Sequence, residues 1–365
     1  MLLLCNNRTI IFFKVVKTLT RYFLFHPIMK KFYRILLVFT AFYSSIGAVG
    51  QSRKFVFQQP KMGSPFNIVI YGNDSIKAEV AAKAVFLLVD TLNSIFSDYL
   101  PNSELNRLCA TAGTGKWISV SSPLFTILKK SKNAALQSKG RFDVTISPIT
   151  RIWRMARKEG KLPGRDTIAA AMKKVGYQYI LLDTISKKIQ LTKKEMQLDL
   201  GGIAKGETAQ RMSDRLRQLG FNSTLVDAGG DIIVADAPAG KPGFTVAINL
   251  PQTEALMKKL LVLSNMAVTT SGDLYQYLEV DGIRYSHIID PLTGWPLTTA
   301  KNVTVICADG TNADWITKAC SILSPKKALR FAQKMGAAVQ IGMIRRGKPV
   351  FYRSNDFNSY FLPSD

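Results

Sequence analysis

The chain has 365 residues, 47% of them hydrophobic and 20% charged, which fits a globular protein with a real buried core and excludes a disordered chain. A formal net charge of +24 suits attraction to polyanions such as nucleotides, membrane surfaces or acidic proteins. The basic residues are scattered without a helix-turn-helix, RRM or zinc-finger signature, so nucleic acid is not expected as a partner.

The amino-terminal segment is an address rather than a fold. The first 54 residues hold nine Lys or Arg and no acid; Asp74 is the first acidic residue. Within residues 29–50, Lys30, Lys31 and Arg34 form a basic start, Ile35 to Tyr43 an apolar stretch, and Ala48-Val-Gly50 a small-x-small cleavage site. This pattern makes Met29 the expected true start, residues 1–50 an export signal with an over-called start, and residues 51–365 the mature domain. A membrane anchor is the alternative, and it would tie the protein to the membrane through its N-terminus; the apolar run is short for a spanning helix, which needs about 20 residues. No cysteine lies just after the apolar stretch, so a lipid-anchored form is unsupported. The expected destination is a bacterial periplasm or the outer face of the inner membrane.

Along the mature chain, Phe66 to Tyr71 reads as a strand. Ile76 to Phe96 follows as a helix with an apolar face of Val80, Ala84, Leu87, Leu88, Leu92 and Ile95. Ser122-Pro123 caps a helix that Gly140 closes, and Ala204 to Leu219 is a helix ended by Gly220. Strands are expected at Ser223 to Val226, Phe244 to Leu250 and Leu260 to Val268, with a hairpin from Tyr277 to Tyr285 around Asp281-Gly282. Val303 to Cys307 is a strand, and Asn312 caps a helix through Leu323. Ser324-Pro325 opens another helix, and strands Ala338 to Ile344 and Pro349 to Tyr352 follow. This irregular alternation predicts α+β, with mixed β-sheets and packed helices, in one compact unit or two intimate lobes.

Five segments combine glycine, acid and hydroxyl residues at element ends. Leu198-Asp-Leu-Gly-Gly-Ile-Ala-Lys-Gly-Glu207 places glycines before a helix, where backbone can approach an anion and Lys205 can add charge; a plain strand-to-helix turn is the alternative. Val226-Asp-Ala-Gly-Gly-Asp-Ile232 flanks a glycine pair with acids, for close approach to a ligand or simply for a tight bend. Thr269-Thr-Ser-Gly-Asp273 reads as a polar turn whose hydroxyls, Ser271 among them, could hold a phosphate or ribose. Tyr285-Ser-His-Ile-Ile-Asp-Pro-Leu-Thr-Gly294 carries His287, the one histidine of the mature chain and a natural general base, followed by Asp290. In Asn312-Ala-Asp-Trp-Ile-Thr-Lys-Ala319, Asp314 shares a helix face with Thr317 and Lys318; the carboxylate and hydroxyl could hold Mg²⁺, or the acid could serve the helix dipole and pair with Lys318. The four cysteines form no CxxC pair and only two histidines exist, His26 and His287, so zinc and three-imidazole metal sites are unsupported.

Taken in order, these segments resemble the ApbE family, the FAD:protein FMN transferases, across nearly the whole mature chain. Lys61-Met-Gly-Ser64, Phe96-Ser-Asp-Tyr-Leu-Pro-Asn-Ser-Glu-Leu105 and Phe142-Asp-Val-Thr-Ile-Ser-Pro148 resemble further family motifs, with Trp153 where that family often has tryptophan. The resemblance implies a Mg²⁺-dependent enzyme that moves FMN from FAD to a Thr or Ser hydroxyl of an exported redox protein and releases AMP. It implies an FAD site of Met62, Tyr99, Phe142, Asp143, Thr145, Asp199, Lys205, Ser271, His287 and Ile288. It further implies Mg²⁺ held by the Ala204 carbonyl, Asp314 and Thr317, with His287, Asp290 and Lys205 in catalytic roles. The implied acceptor flavoprotein carries a Ser/Thr-Gly-Ala-Thr-like motif, which this chain lacks. One departure stands out: the family usually has threonine four residues after the metal-binding aspartate, where this chain has Lys318, and Thr317 lies one residue earlier. Two other activities suit the same pocket: a non-catalytic exported FAD-binding protein, and an FAD pyrophosphatase giving FMN and AMP.

Overall fold

The computed structural model describes residues 52–250, 257–272 and 277–362; the expected export signal and Asp273 lie outside the described residues. The strands are β1 (Arg53–Lys61), β2 (Ser64–Gly72), β3 (Ile118–Ser119), β4 (Ile180–Asp183), β5 (Lys188–Leu191), β6 (Thr224–Ala228), β7 (Asp231–Val234), β8 (Phe244–Leu250), β9 (Met257–Leu263), β10 (Met266–Gly272), β11 (Tyr277–Val280), β12 (Ile283–Ser286), β13 (Lys301–Cys307), β14 (Ala338–Arg345) and β15 (Lys348–Arg353). The helices are α1 (Ser75–Phe96), α2 (Glu104–Cys109), α3 (Ser122–Gln137), α4 (Ser147–Glu159), α5 (Arg165–Met172), α6 (Ala204–Gln218), α7 (Gly310–Ile322) and α8 (Pro325–Lys334). This is the α+β class expected from the sequence.

An eight-stranded sheet in the order β1-β2-β6-β7-β10-β13-β14-β15 forms the frame, and its ladders are antiparallel. Alternation along the strands divides the core in two. Phe66, Ile68 and Ile70 of β2, Val303 and Val305 of β13, and Val339 and Ile341 of β14 face α1, α6 and α7 in the main core. Val69, Ile306 and Ala338 face the other way, onto Phe244, Val246, Leu261 and Leu263 of the β8–β9 ribbon. A third apolar cluster joins α4 and α5 to the β11–β12 hairpin through Ile149, Trp153, Ile168 and Leu278. No helix among the described residues is long and apolar enough to cross a membrane.

Local chemistry explains most of the element ends. The β1–β2 turn holds Met62 and Gly63 at φ 48° and 74°, the two left-handed residues of a tight hairpin turn. Asp281 and Gly282 do the same at φ 53° and 72° between β11 and β12, as Asp-Gly predicts. Asp74 caps α1 by accepting from the Lys77 N–H at 3.0 Å.

Several expectations shift. The cap of α3 is Ser121, and that of α7 is Asp309, whose carboxylate accepts the Asn312 N–H at 2.8 Å; an acid three residues earlier takes the role expected of Asn312. Leu260 to Val268 is two strands, because Asn265 turns left-handed at φ 51° and sends β9 to the ribbon and β10 to the large sheet. Thr269 to Gly272 lies within β10 and is not a turn. The buried face of α1 is Ala78, Ala81, Ala82, Val85, Phe86, Val89, Leu92 and Phe96, while Val80 and Leu87 are exposed. The buried face mixes alanines with Val85, Phe86, Val89, Leu92 and Phe96 and is rotated from the expected stripe, because α1 packs against β1 and β2 as well as α6.

Candidate functional site

The site grows from the crossing of α6 and α7 near their first turns. A Cβ on Gly206 would stand 2.3 Å from the Gly310 carbonyl oxygen and 2.6 Å from the Asp314 Cβ, so only glycine allows this approach. The chain enters α6 through a turn in which the Ile203 and Ala204 N–H groups donate to the Leu200 carbonyl. Gly202 in that turn is confined as well: a Cβ there would meet the Phe142 ring at 3.1 Å and the Lys318 stem at 3.2 Å. Two helix N-termini, each favourable to anions, are thereby brought side by side.

Between them sits a compact group of charges. Asp314 is fully buried (0% exposed); it accepts the Gly206 N–H at 3.1 Å on Oδ2 and the Lys318 ammonium at 2.9 Å on Oδ1. Lys318 also donates to Ser271 Oγ at 2.6 Å and lies 3.3 Å from Thr317 Oγ1, and the two hydroxyls share a 2.6 Å bond. Thr317 Oγ1 donates to the Asp314 carbonyl at 2.6 Å as well. Lys205 pairs with Asp231 at 3.1 Å and reaches the Gly229 carbonyl at 3.4 Å. Asp231 is 2% exposed and opens β7 opposite Thr269 of β10.

The charges of this group perturb one another strongly. Burial, then the neighbouring Asp314 charge, pushes the Asp231 carboxyl above the usual range, against the pull of Lys205 and Lys318. Burial alone would draw the Lys205 ammonium down, but Asp231, Asp314 and Asp227 outweigh it and hold it above the ordinary lysine value. The β1–β2 turn closes this side: a Cβ on Gly229 would come within 2.4 Å of Ser64 Oγ, two residues after Met62.

A second group adjoins the glycine turn. Asp199 accepts from Gly201 N–H, Thr150 Oγ1 and Arg154 at 2.8 Å each. Arg154 also binds Asp98 at 2.5 Å and lies 4.5 Å below the Tyr99 ring, which is 73% exposed and presents a flat aromatic face. Asp143 and Thr145 are buried and turned inward. Asp143 takes the Thr145 and Tyr177 N–H groups at 2.9 Å, while Thr145 Oγ1 accepts the Gly176 N–H at 2.7 Å. These two residues hold the loop that carries Phe142; their polar atoms are spent on the protein.

His287 is half-buried in the bend that follows β12. The buried Ile288 beside it donates its N–H to Ser286 Oγ at 3.1 Å. Asp290 gives one oxygen to Arg141 at 2.8 Å and the other to the Leu292 N–H at 3.0 Å, so it pins its own turn against the Phe142 loop. Thus Lys205, Ser271, Asp314 and Thr317 form one cluster with Lys318, Ala204 opens the helix that brings Lys205 to it, Tyr99 and Asp199 meet through Arg154, and Asp290 holds the loop bearing His287.

Asp231 and Arg154 were not singled out from the sequence. Asp231 was visible as the second acid of the glycine-pair segment. Arg154 sits on α4, whose start at Ser147-Pro148 and end at Gly160 carried a helix signal.

A divalent ion fits this donor set poorly. Both Asp314 oxygens and the Thr317 hydroxyl already have partners, one of them a cation, and among the described residues no three His, Cys, Asp or Glu side chains converge. Mg²⁺ asks for near-octahedral oxygen ligation at about 2.1 Å. Lys318 stands in the way of that arrangement.

Comparisons with known proteins identify the family and the fold. The model of the ApbE family matches residues 62–341. An FAD:protein FMN transferase of Haemophilus influenzae is 29% identical over 308 residues, covering 81% of this chain and 89% of that protein. One from Klebsiella pneumoniae is 29% identical over 272 residues, covering 74% and 83%. A crystal structure of the Pseudomonas stutzeri flavinyl transferase ApbE, in its apo form, superposes with a TM-score of 0.77 at 28% identity, covering 87% of this chain and all of that one.

Proposed function

This chain belongs to the ApbE family, and on that premise we propose that it is a flavin transferase moving FMN from FAD to a Thr or Ser hydroxyl of another protein. The observation that carries this reading is the pair of part-exposed ammoniums, Lys205 and Lys318, anchored on buried carboxylates where two helix N-termini meet at a glycine turn. That arrangement suits a diphosphate: backbone can come close, the helix dipoles favour negative charge, and two cations neutralise it.

In the proposed step the acceptor hydroxyl oxygen bonds to the flavin-side phosphorus. The P–O bond to the bridging oxygen breaks, and AMP leaves with that oxygen. His287 takes the hydroxyl proton. Phosphoryl transfer needs alignment and charge neutralisation more than covalent help from the protein, and Lys205 supplies part of that. The Tyr99 face, backed by Arg154, suits stacking of one of the two ring systems of the dinucleotide. Magnesium belongs in the assay as the co-ion expected of a dinucleotide reaction, and no step depends on it at Asp314. The export pattern of residues 29–50 supports a periplasmic reaction on an exported acceptor carrying a Ser/Thr-Gly-Ala-Thr-like motif.

The test is incubation with FAD, Mg²⁺ and such an acceptor domain, read by intact mass and nucleotide analysis. Transferase activity adds FMN to the acceptor and yields AMP in equal amount. Free FMN with an unmodified acceptor means a pyrophosphatase, and unchanged FAD means a carrier. His287→Ala is expected to lose transfer by about a hundredfold or more while still binding FAD; full transfer by that variant removes His287 from the base role.

A further inference from the structure

We propose that the Lys318 ammonium is the resident cation of this site, holding the diphosphate of FAD where a divalent ion would otherwise be needed, so that dinucleotide binding by this chain does not require a metal. The inference rests on the flavin-transferase reading above.

The first ground is how the ammonium is held. Lys318 is anchored by oxygens from two elements: Asp314 Oδ1 at 2.9 Å and Thr317 Oγ1 at 3.3 Å on α7, and Ser271 Oγ at 2.6 Å on β10. Asp314, Ser271 and Thr317 are all buried, whereas the Lys318 side chain keeps 24% of its surface exposed. The set is therefore closed behind and open in front. The contact to Thr317 is the longest, and the N–H directed there is the one a phosphate oxygen can take over.

The second ground is steric. The Lys318 stem passes over Gly202, where a Cβ would meet Lys318 Cγ at 3.2 Å, in the same glycine turn that leads into α6. The turn thus leaves room for the lysine stem. A freely rotating surface lysine would need no such accommodation.

The third ground is charge. Two buried carboxylates, Asp231 and Asp314, are matched by two ammoniums, Lys205 and Lys318. A divalent ion on Asp314 and Thr317 would lie in contact with Lys318 and meet like-charge repulsion at close range. Lys318 is covalently fixed four residues beyond Asp314 on the same helix face, so it competes for those oxygens without any cost of capture.

The experiment measures FAD affinity calorimetrically in EDTA and in magnesium, together with Mn²⁺ uptake by electron paramagnetic resonance, for the full-length protein and for Lys318→Met. Methionine keeps most of the stem and removes the charge. For the wild type, the FAD dissociation constant should change by less than about twofold between EDTA and magnesium, with no more Mn²⁺ bound than FAD alone accounts for. In EDTA the Lys318→Met variant should bind FAD about tenfold or more weakly, with magnesium restoring part of the loss. A wild-type affinity that collapses in EDTA, stoichiometric Mn²⁺ on the wild type, or unaltered FAD affinity in Lys318→Met would overturn the proposal while leaving the flavin reading intact. No FAD uptake by the wild type in either buffer would sink both. Should Lys318→Met fail to fold, the wild-type comparison still decides.

Discussion

Two buried acid–base clusters flank the same crossing of α6 and α7, and they are built differently. On one side Glu207, 2% exposed, accepts from Lys130, Arg211 and Thr311, each at 2.7 Å. Burial would raise its carboxyl, but Lys130, Thr311 and Arg211 together hold it below the usual glutamate range. On the other side Asp231 is pushed above its range by burial and by Asp314. The first cluster satisfies its single acid with several donors. The second crowds two acids together and turns its cations toward an opening. A structural ion cluster relieves its buried charge, whereas a site that must bind a charged substrate leaves part of the strain unrelieved.

The largest expected effect comes from breaking the crossing itself. Gly206→Ala sets a Cβ 2.3 Å from a backbone oxygen that cannot swing away, and should cost about 4 kcal/mol of stability or prevent folding, measured by urea unfolding. It would damage both clusters at once. Glu207→Ala touches only one: it strands two cations, should cost about 3 kcal/mol, and should leave FAD affinity per folded molecule unchanged in titration calorimetry. A large loss of FAD affinity there would blur the distinction between the two sides.

Acid titration of stability sharpens the contrast further. Glu207 is held below the ordinary glutamate value of 4.5 in the folded state, so its stabilisation is present above pH 4.5 and fades as pH falls through the folded value. Glu207→Gln should remove that acid-side slope. Asp231 has the opposite sign: its folded value lies above 3.8, the native state takes the proton first, and stability falls as pH rises through the window above 3.8. Asp231→Asn should therefore cost the least, within about 1 kcal/mol at neutral pH in thermal melts, while weakening FAD binding through its grip on Lys205. If Asp231→Asn destabilised the protein as much as Glu207→Ala, the two clusters would be alike in kind.

Much of the frame was legible because it rests on local rules. Asp281-Gly282 turns its hairpin by backbone preference, and Ser324-Pro325 starts α8 with proline in the first turn, although the Ser324 side chain makes no capping bond; β1 and its Met62-Gly63 turn, with a methionine held left-handed, carry no such local signal. The buried face of α1 is not legible from helical spacing, which shows which residues are apolar and not on which side the core lies; Ala78, Ala81 and Ala82 are buried while Val80 and Leu87 stay exposed. Asn265 hid a strand break inside an apolar run, since one left-handed residue leaves little trace in composition.

The sequence by itself determined the α+β class, the chain-order set of glycine, acid and hydroxyl segments, and the family they resemble, because these depend on residue type and short spacing. Only the tertiary structure decided how the segments meet: that Asp143 and Thr145 spend their polar atoms on the Tyr177 and Gly176 N–H groups, that Asp290 grips Arg141, and that Lys318 reaches Ser271 of β10 as well as Asp314. Such pairings join residues up to 149 positions apart. Their partners are chosen by which helices and strands can pack closely, and that choice is made at glycines such as Gly206 and Gly310, where two backbones touch.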